Sequence, residues 1–333
     1  MKYAVREQWL AQVNEEIIDP GRSIVDPHHH FFASRRSFQA YDLASLRADT
    51  SSHSVHTTVY LQCGEGHLKD GPKPLRPVGE TQMVDAIAAQ AKKEPHLTQI
   101  GAMVGTAELR LGSAVREVLE AHQNASGLFK GIRQAAAWDA SDAGLLYGDV
   151  PNAALYRDTA FREGFAVLAD MGLSFDAWHY HPQTPYLTEL AREFPDAVIV
   201  LDHFGTPIGV GPYAGKRKEI FTQWANDLAE LATCPNVFIK LGGLAMPWTG
   251  FGFETQAMPP TSDEIVALQA PYYDHAIEVF GPERAMFESN FPVDKLSVSY
   301  RVLWNAFKKM AQEYSESEQD ALFQQTAKQV YRL

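Results

Sequence analysis

The chain has 333 residues, 45% of them apolar, and 41 acidic against 29 basic side chains leave a net charge of −12. That is enough apolar material for one large core, and an aromatic content of 11% excludes a disordered chain. No stripe of Lys and Arg offers a track for nucleic acid, no apolar run reaches the length of a membrane span, and the start MKYAVREQWLAQVNEE lacks the apolar core of a signal peptide.

Cys63 and Cys234 lie far apart without metal-ligand spacing, which fits a reducing cytosol and a cytoplasmic location. The expected partners are a small-molecule substrate and, in a homodimer, a second copy of the chain.

Residues 1–22 read as an extension packed on a single domain that spans 23–333. Within it, β-rich runs at 24–26, 57–62, 99–104, 128–133, 173–178, 198–201, 237–241 and 284–288 alternate with helical periodicity. The segment 107–123 carries Leu111, Ala114, Val115, Val118 and Leu119 on one face, with Thr106 placed as N-cap. The segment 155–171 does the same with Phe161, Phe165 and Leu168, and Gly172 ends it. The run Val198-Ile199-Val200-Leu201 is apolar throughout, as in a parallel strand covered on both faces.

Eight such strands suggest a (β/α)8 TIM barrel; a doubly wound open sheet is the competing architecture. Loop lengths favour the barrel. The segments after strands are long (63–80, 134–152, 203–216, 242–262), whereas 171–172, 194–196 and 281–283 before strands are short. Long βα loops belong on the C-terminal face, where barrel enzymes keep their active sites.

The histidines fall on that face. SIVDPHHHFF ends the first strand, and its spacing gives Asp26, His28 and His30 one parity and His29 the other. Two imidazoles on one side of a strand end suit a shared ion such as zinc. The fifth strand ends in DAWHYHPQ, with His179 and His181, and the sixth in LDHFG, with His203. Each histidine alone is more often a satisfied structural residue; their common place at strand ends is what makes a metal site of His28, His30 and His203 the better reading. Gly209-Val210-Gly211-Pro212-Tyr213-Ala214-Gly215 lacks the spacing of a phosphate loop.

DPHHHFF, GLSFDAWHYHPQ, VIVLDHFG, NVFIKLGGLAMP and RAMFESNFPVDK, in this order, resemble the amidohydrolase superfamily in its amidohydrolase 2 branch. The resemblance runs over nearly the whole chain. It implies a barrel hydrolase similar to 2-pyrone-4,6-dicarboxylate lactonase, L-fuconolactonase and L-rhamnonolactonase, with barrel decarboxylases as more distant relatives. Some lactonases of the branch use zinc and the pyrone type works without a metal, so one divalent ion, zinc first, is expected, with metal-free catalysis as the alternative. The resemblance does not carry a substrate.

Relatives commonly carry Gly-Ser-Asp-Trp-Pro where this chain has Glu288-Ser289-Asn290-Phe291-Pro292. The aspartate there is a general base and often a metal contact; Asn290 cannot accept a proton. Glu288 ranks first as its replacement and Asp294 second, the alternatives being an internal salt bridge and a helix cap. His181 is the further candidate for proton transfer.

Arg133 ends the fourth strand and presents a fork suited to a carboxylate, unless it pairs with an acid such as Asp26. Lys240 ends the seventh and suits an anion or a carbonyl, unless it too is paired inside. Trp248, Phe251 and Phe253, with two glycines, read as a pocket wall or as core. His179 joins Arg133, Lys240 and Trp248 as a substrate-binding candidate. The expected reaction is hydrolysis of a lactone or related cyclic ester. A metal-dependent decarboxylase and a catalytically degenerate binding barrel are the competing readings.

Overall fold

The computed structural model describes residues 4–33, 39–141, 150 and 152–333. Eight parallel strands follow one another around one sheet: β1 (Ile24–His29), β2 (Val55–Leu61), β3 (Gln99–Gly105), β4 (Phe129–Arg133), β5 (Ser174–Ala177), β6 (Ile199–Leu201), β7 (Val237–Leu241) and β8 (Ala285–Phe287). The residues after β8 close the ring onto β1: Asn290 N donates to His28 O (3.0 Å) and His30 N to Phe291 O (2.8 Å). This is the expected (β/α)8 barrel.

The helices are α1 (Glu7–Leu10), α2 (Leu43–Thr50), α3 (Val78–Ala91), α4 (Val115–Ala125), α5 (Thr159–Asp170), α6 (Thr184–Glu193), α7 (Arg217–Ala232), α8 (Ser262–Phe280), α9 (Tyr300–Met310), α10 (Glu316–Asp320) and α11 (Thr326–Tyr331). One helix follows each strand from α2 to α9. The expected loop 134–152 is described only in part, since residues 142–149 and 151 lie outside the described residues.

Strand parity divides the core. Ile199 and Leu201 face the helices, while Val200 faces the lumen with Val25, Val59, Leu61, Ala102, Val104, Phe238 and Met286. Ala327, Val330 and Tyr331 of α11 complete this inner cluster. They plug the N-terminal end of the barrel: Arg332 donates to Gly172 O just before β5 (2.8 Å). Val198, expected inside the sixth strand, precedes it and is 37% exposed.

Two residues beyond Val200, Phe238 and Met286, the same parity places Asp202, Lys240 and Glu288 above the apolar layer. β1 departs from simple alternation. Asp26 aligns with Thr58 but His29 with Tyr60, so β1 carries one extra residue. Such a bulge flips the faces. Val25 and His28 therefore both point inward, and Asp26 does not share their parity as the spacing suggested. Its carboxylate instead accepts Tyr300 OH of α9 (3.0 Å) and Ser289 N (2.9 Å).

Two helix starts differ from the sequence pattern. Residues Leu109–Ala114 form a 3-10 stretch broken at Gly112 (φ 59°), so α4 begins only at Val115. Thr106 is not its cap; the Thr106 carbonyl lies 3.0 Å from His122 Nε2. Leu155–Arg157 is likewise a 3-10 turn, and Asp158 caps α5 by accepting Phe161 N at 2.9 Å. The far end is as expected. Gly172 takes φ 66° and donates to Ala169 O, while Leu173 N donates to Leu168 O, a Schellman ending.

The segment before β1 lies against α8 and α9. The Glu15 carboxylate accepts Ser262 N (2.7 Å) at the start of α8, and Lys308 Nζ of α9 donates to Ile18 O and Asp19 O. The side-chain cap at Asp158 gives a direct test of the α5 start. Asp158→Ala should cost ~1 kcal/mol, read as a lowered urea midpoint; an unchanged midpoint would place the helix start elsewhere.

Candidate active site

Six strand ends supply a buried polar layer. Lys240 Nζ sits at its centre, 2.7 Å from Asp176 Oδ2, 3.1 Å from Asp202 Oδ1 and 3.3 Å from His28 Nδ1. Arg133 NH1 lies 3.4 Å from Asp202 Oδ2 and 3.3 Å from His28 Nε2, and its NH2 donates to Gln62 O. Arg133 is thus paired inside the barrel with Asp202 rather than Asp26, and Lys240 is likewise paired. Arg133 Nε, buried and beside the Trp178 ring (5.7 Å from the guanidinium carbon to the ring centre), has no hydrogen-bond partner among the described residues.

His28 and His30 point to one side, Nε2 to Nε2 at 3.3 Å, and His30 Nδ1 lies 2.8 Å from Leu61 O. The His203 ring is 4.4 Å from that of His28, centre to centre. Glu288 lies between the two: Oε1 is hydrogen-bonded to His203 Nδ1 at 2.6 Å, while Oε2, 2.7 Å from His28 Nδ1, makes no hydrogen bond among the described residues. Two glycines make the room. A Cβ on Gly242 would fall 2.4 Å from Glu288 Cγ, and one on Gly243 would fall 2.5 Å from His203 Nδ1. His203 itself takes a left-handed backbone (φ 54°), which aims its side chain back across the barrel.

Burial and charge set the ionisation of this layer. Burial pushes Glu288 up, but His203 and His28 overcome it and hold the carboxyl at about 2. Burial likewise raises Asp202, and Lys240 and His28 bring it well below the usual range. Asp176 stays high, about 6, because burial and the Asp202 charge outweigh Lys240. Burial and the neighbouring cations keep His30 well below its ordinary value.

Asn290 and Asp294 sit to one side. Asn290 takes φ 54° and its Nδ2 donates to Asp294 Oδ1 (3.1 Å). Asp294 is fully buried, and burial together with the Glu288 charge raises its carboxyl well above the usual range. The structure therefore places Glu288 between imidazoles and Asp294 against an amide.

His181 and Trp248 belong to an aromatic cluster rather than to the charged layer. Trp248, Ala135, Val210 and Tyr213 pack on Ala137, Trp178, Tyr180 and Ile208. His181 meets the Tyr213 ring edge-on, and its Nδ1 accepts Ile208 N at 3.2 Å. It does not titrate near neutrality, because burial pushes it down to about 4. Phe251 and Phe253 stack on each other, and Phe251 packs against Tyr272 of α8, so Trp248 is the aromatic of that loop that faces this cluster. The structure does not bring His179 to the layer. β5 ends at Ala177, strand parity lapses, and the ring turns outward between Tyr156 OH and Thr184 Oγ1, both at 3.2 Å.

Asp176 and Asp202 were missing from the sequence-derived site. The signal was present: each is a lone acid within or just after an otherwise apolar strand, in register with Arg133 and Lys240. Asp202 completes the metal-capable group, since donor atoms of His28, Asp202 and His203 all lie within 4.8 Å of one another, fully buried.

An eight-stranded parallel barrel whose imidazoles and carboxylates converge at the C-terminal strand ends defines an enzyme barrel with its chemistry on that face. The chain belongs to the amidohydrolase family, whose sequence profile (Amidohydro_2) matches residues 25–333. It is 26% identical over 320 residues to an L-fucono-1,5-lactonase of Burkholderia multivorans, covering 93% of this chain and 96% of that protein. It is 33% identical over 332 residues to protein y4mH of Sinorhizobium fredii (93% and 99%). Among solved structures, an amidohydrolase from Burkholderia multivorans with bound zinc superposes with TM-score 0.73 at 22% identity, covering 94% of this chain and 100% of that one. A probable 2-pyrone-4,6-dicarboxylic acid hydrolase from Acinetobacter baumannii gives 0.63 at 14% (93% and 99%).

The residues present fit a divalent metal. Two imidazoles and a carboxylate are a donor set for zinc and similar ions. The surrounding charge agrees: Asp176, Asp202 and Glu288 exceed Arg133 and Lys240 by one, which leaves the buried layer net negative. Among the described residues, no helix is long and apolar enough to cross a membrane.

The buried histidines predict acid sensitivity. Burial holds His29 and His179 near 3 and His53, His122 and His181 near 4. An unfolded imidazole takes its proton near 6.5, so each lowers stability by up to ~1.4 kcal/mol per pH unit below that value. Asp26 and Asp176, raised to about 6, act in the opposite direction. Five against two leaves a net loss, so the melting temperature should fall from pH 6.5 to pH 4.5. His122→Gln should flatten the slope, and a melting temperature that stays level on acidification would contradict the neutral buried state.

Proposed function

We propose that the chain is a lactonase that opens the cyclic ester of a small sugar-acid or carboxylated ring substrate with the help of one divalent metal, zinc in the first instance. The observation that carries this reading is the buried His28–Asp202–His203 group at the strand ends, with His30 Nε2 beside His28. The lactonase names among the relatives supply the substrate class.

His28, Asp202 and His203 would hold the ion, and His30 offers a further nitrogen. When bound, such an ion polarises a carbonyl oxygen and acidifies a water. The chain's own residues do the rest. Lys240 and Arg133 neutralise Asp202 from two sides and keep it ionised. Arg133 Nε is a donor available to a substrate oxygen, and the neighbouring Trp178–Trp248 cluster offers ring faces for the rest of the substrate.

Proton transfer does not fall to Glu288. A carboxylate held near 2, with both oxygens within 2.7 Å of imidazole nitrogens, is a weak acceptor. Asn290 is no acceptor either, and Asp294, its carboxyl raised well above the usual range by burial and the Glu288 charge, favours its protonated form. The remaining acceptor beside the group is His30 Nε2, whose ring places Nδ1 on Leu61 O and which lies outside the His28–Asp202–His203 set.

A pH-stat assay over 1,5- and 1,4-aldonolactones and pyrone carboxylates tests the reading. Acid release should be lost on chelation and restored by zinc. Carbon dioxide release from aromatic acids without lactone turnover would make the chain a decarboxylase.

With a substrate in hand, Arg133→Lys removes the Nε donor while keeping the charge. Loss of a hydrogen bond from a charged donor is worth ~1.5–3 kcal/mol, so kcat/KM should drop roughly 10–100-fold, mostly in KM. Unchanged KM would assign Arg133 a purely internal role.

A further inference from the structure

We propose that residues 210–216 form a flap over the aromatic side of the site, that Tyr213 latches this flap to Asp139, and that breaking this hydrogen bond admits ligands to the buried metal-capable group. The first readout below rests on the metal reading above; the second does not.

Burial creates the need for a movable part. His28, Asp202 and His203 have almost no access to solvent, and Lys240 and Glu288 beside them have none. The other end of the barrel is plugged by α11. An ion or a substrate therefore has to pass the loops of the C-terminal face, and some part of that face has to open for it.

The stretch Gly209-Val210-Gly211-Pro212-Tyr213-Ala214-Gly215 follows β6 on that face. Its root is fixed. Gly209 N donates to Trp248 O (3.0 Å), and a Cβ on Gly209 would fall 2.1 Å from Thr249 O, so glycine lets the chain lie against the loop after β7. Beyond the root the backbone bonds are local. Tyr213 N donates to Val210 O and Ala214 N to Gly211 O, both at 3.1 Å, and Lys216 N donates to Tyr213 O (3.2 Å). Gly211 and Gly215 take left-handed φ of 58° and 76° and bound the tip. The tip is largely exposed, but Val210 and Tyr213 turn back onto the cluster of Trp178, Tyr180 and Ile208. Trp178 is the ring beside Arg133.

A side-chain bond fastens the tip. Tyr213 OH donates to Asp139 Oδ2 at 2.6 Å. Asp139 is a fixed post: its Oδ1 accepts Ser141 N (2.8 Å), and the residues before it are tied to the end of β5. Ala136 N donates to Trp178 O (2.8 Å) and Trp138 N to Gln183 Oε1 (3.0 Å). A phenol bonded to a carboxylate is charge-assisted, and so among the stronger single contacts available. A fixed root, a fixed post, a tip turned at two glycines and one strong bond between tip and post are the parts of a latch. The glycine pattern that fails as a phosphate loop finds its use here.

Tyr213→Phe removes the hydroxyl and keeps the ring on its cluster. The test is stopped-flow zinc uptake by the metal-free protein, with zinc release to a chelator alongside. Losing a bond to a charged partner at a partly exposed position should raise the open fraction roughly tenfold. Tyr213→Phe should therefore speed uptake and release alike by about that factor, with the zinc Kd unchanged. Asp139→Ala should match it, and the double variant should be no faster than either single one, because both remove the same bond. Asp139→Asn, which keeps an acceptor oxygen without the charge, should lie between. Unaltered rates in a folded Tyr213→Phe overturn the latch. A weaker Kd carried by release alone overturns it too, since Tyr213 would then support the site rather than close it.

Hydrogen exchange of the 210–216 amides is the second readout. It should quicken in Tyr213→Phe and in Asp139→Ala while the strand amides keep their protection. A wild type that takes up no zinc sinks the metal reading, and the exchange still decides the latch: unchanged flap amides overturn it.

Discussion

Lys240 is an ammonium group with no access to solvent, and the polar interior is arranged around it. An unpaired charge at that depth costs several kcal/mol, so Asp176 and Asp202 must stand beside it. Their presence in turn calls for Arg133, and the surplus negative charge draws the imidazoles of His28 and His203 around Glu288. Tyr331, from the far end of the chain, supports the same group from below: its hydroxyl donates to Asp176 Oδ2 at 2.6 Å. The C-terminal helix therefore closes the barrel and also supports the floor of the site.

The barrel separates these charges from its packing by a single step of parity. Val200, Phe238 and Met286 fill the lumen, and two residues later Asp202, Lys240 and Glu288 form the site. The short strands β6, β7 and β8 each supply one apolar and one polar side chain to the lumen, while the longer β2 and β3 supply two apolar ones each. The bulge in β1 brings His28 into that register and sends Asp26 outward to Tyr300. This is why the first strand carries acid and histidines so close together without placing all of them in one cluster.

Much of this was legible in the sequence. Eight β-rich runs, long loops after them and short ones before them gave the barrel, and histidines at strand ends marked the face where the buried polar layer gathers. Parity held wherever a strand was regular, as for Arg133, Lys240 and Glu288. It failed where the backbone left the strand: His179 lies two residues past the end of β5, and Asp26 precedes a bulge that no residue type announces. The part played by Glu288 was hidden for a different reason. It depends on His28 and His203 meeting across the barrel, a long-range fact, and on the Gly242-Gly243 pair, whose purpose appears only when the neighbours of each missing Cβ are known. Asp202 was readable as a lone acid after an apolar strand, but a histidine beside it drew the attention.

The central claim is that one divalent ion sits among the strand-end imidazoles and Asp202. Anomalous diffraction from crystals grown with zinc tests it most directly. The peak should lie ~2.0–2.2 Å from donor atoms of His28, Asp202 and His203. A protein that binds zinc stoichiometrically in solution, yet shows its peak away from these residues, would contradict the claim.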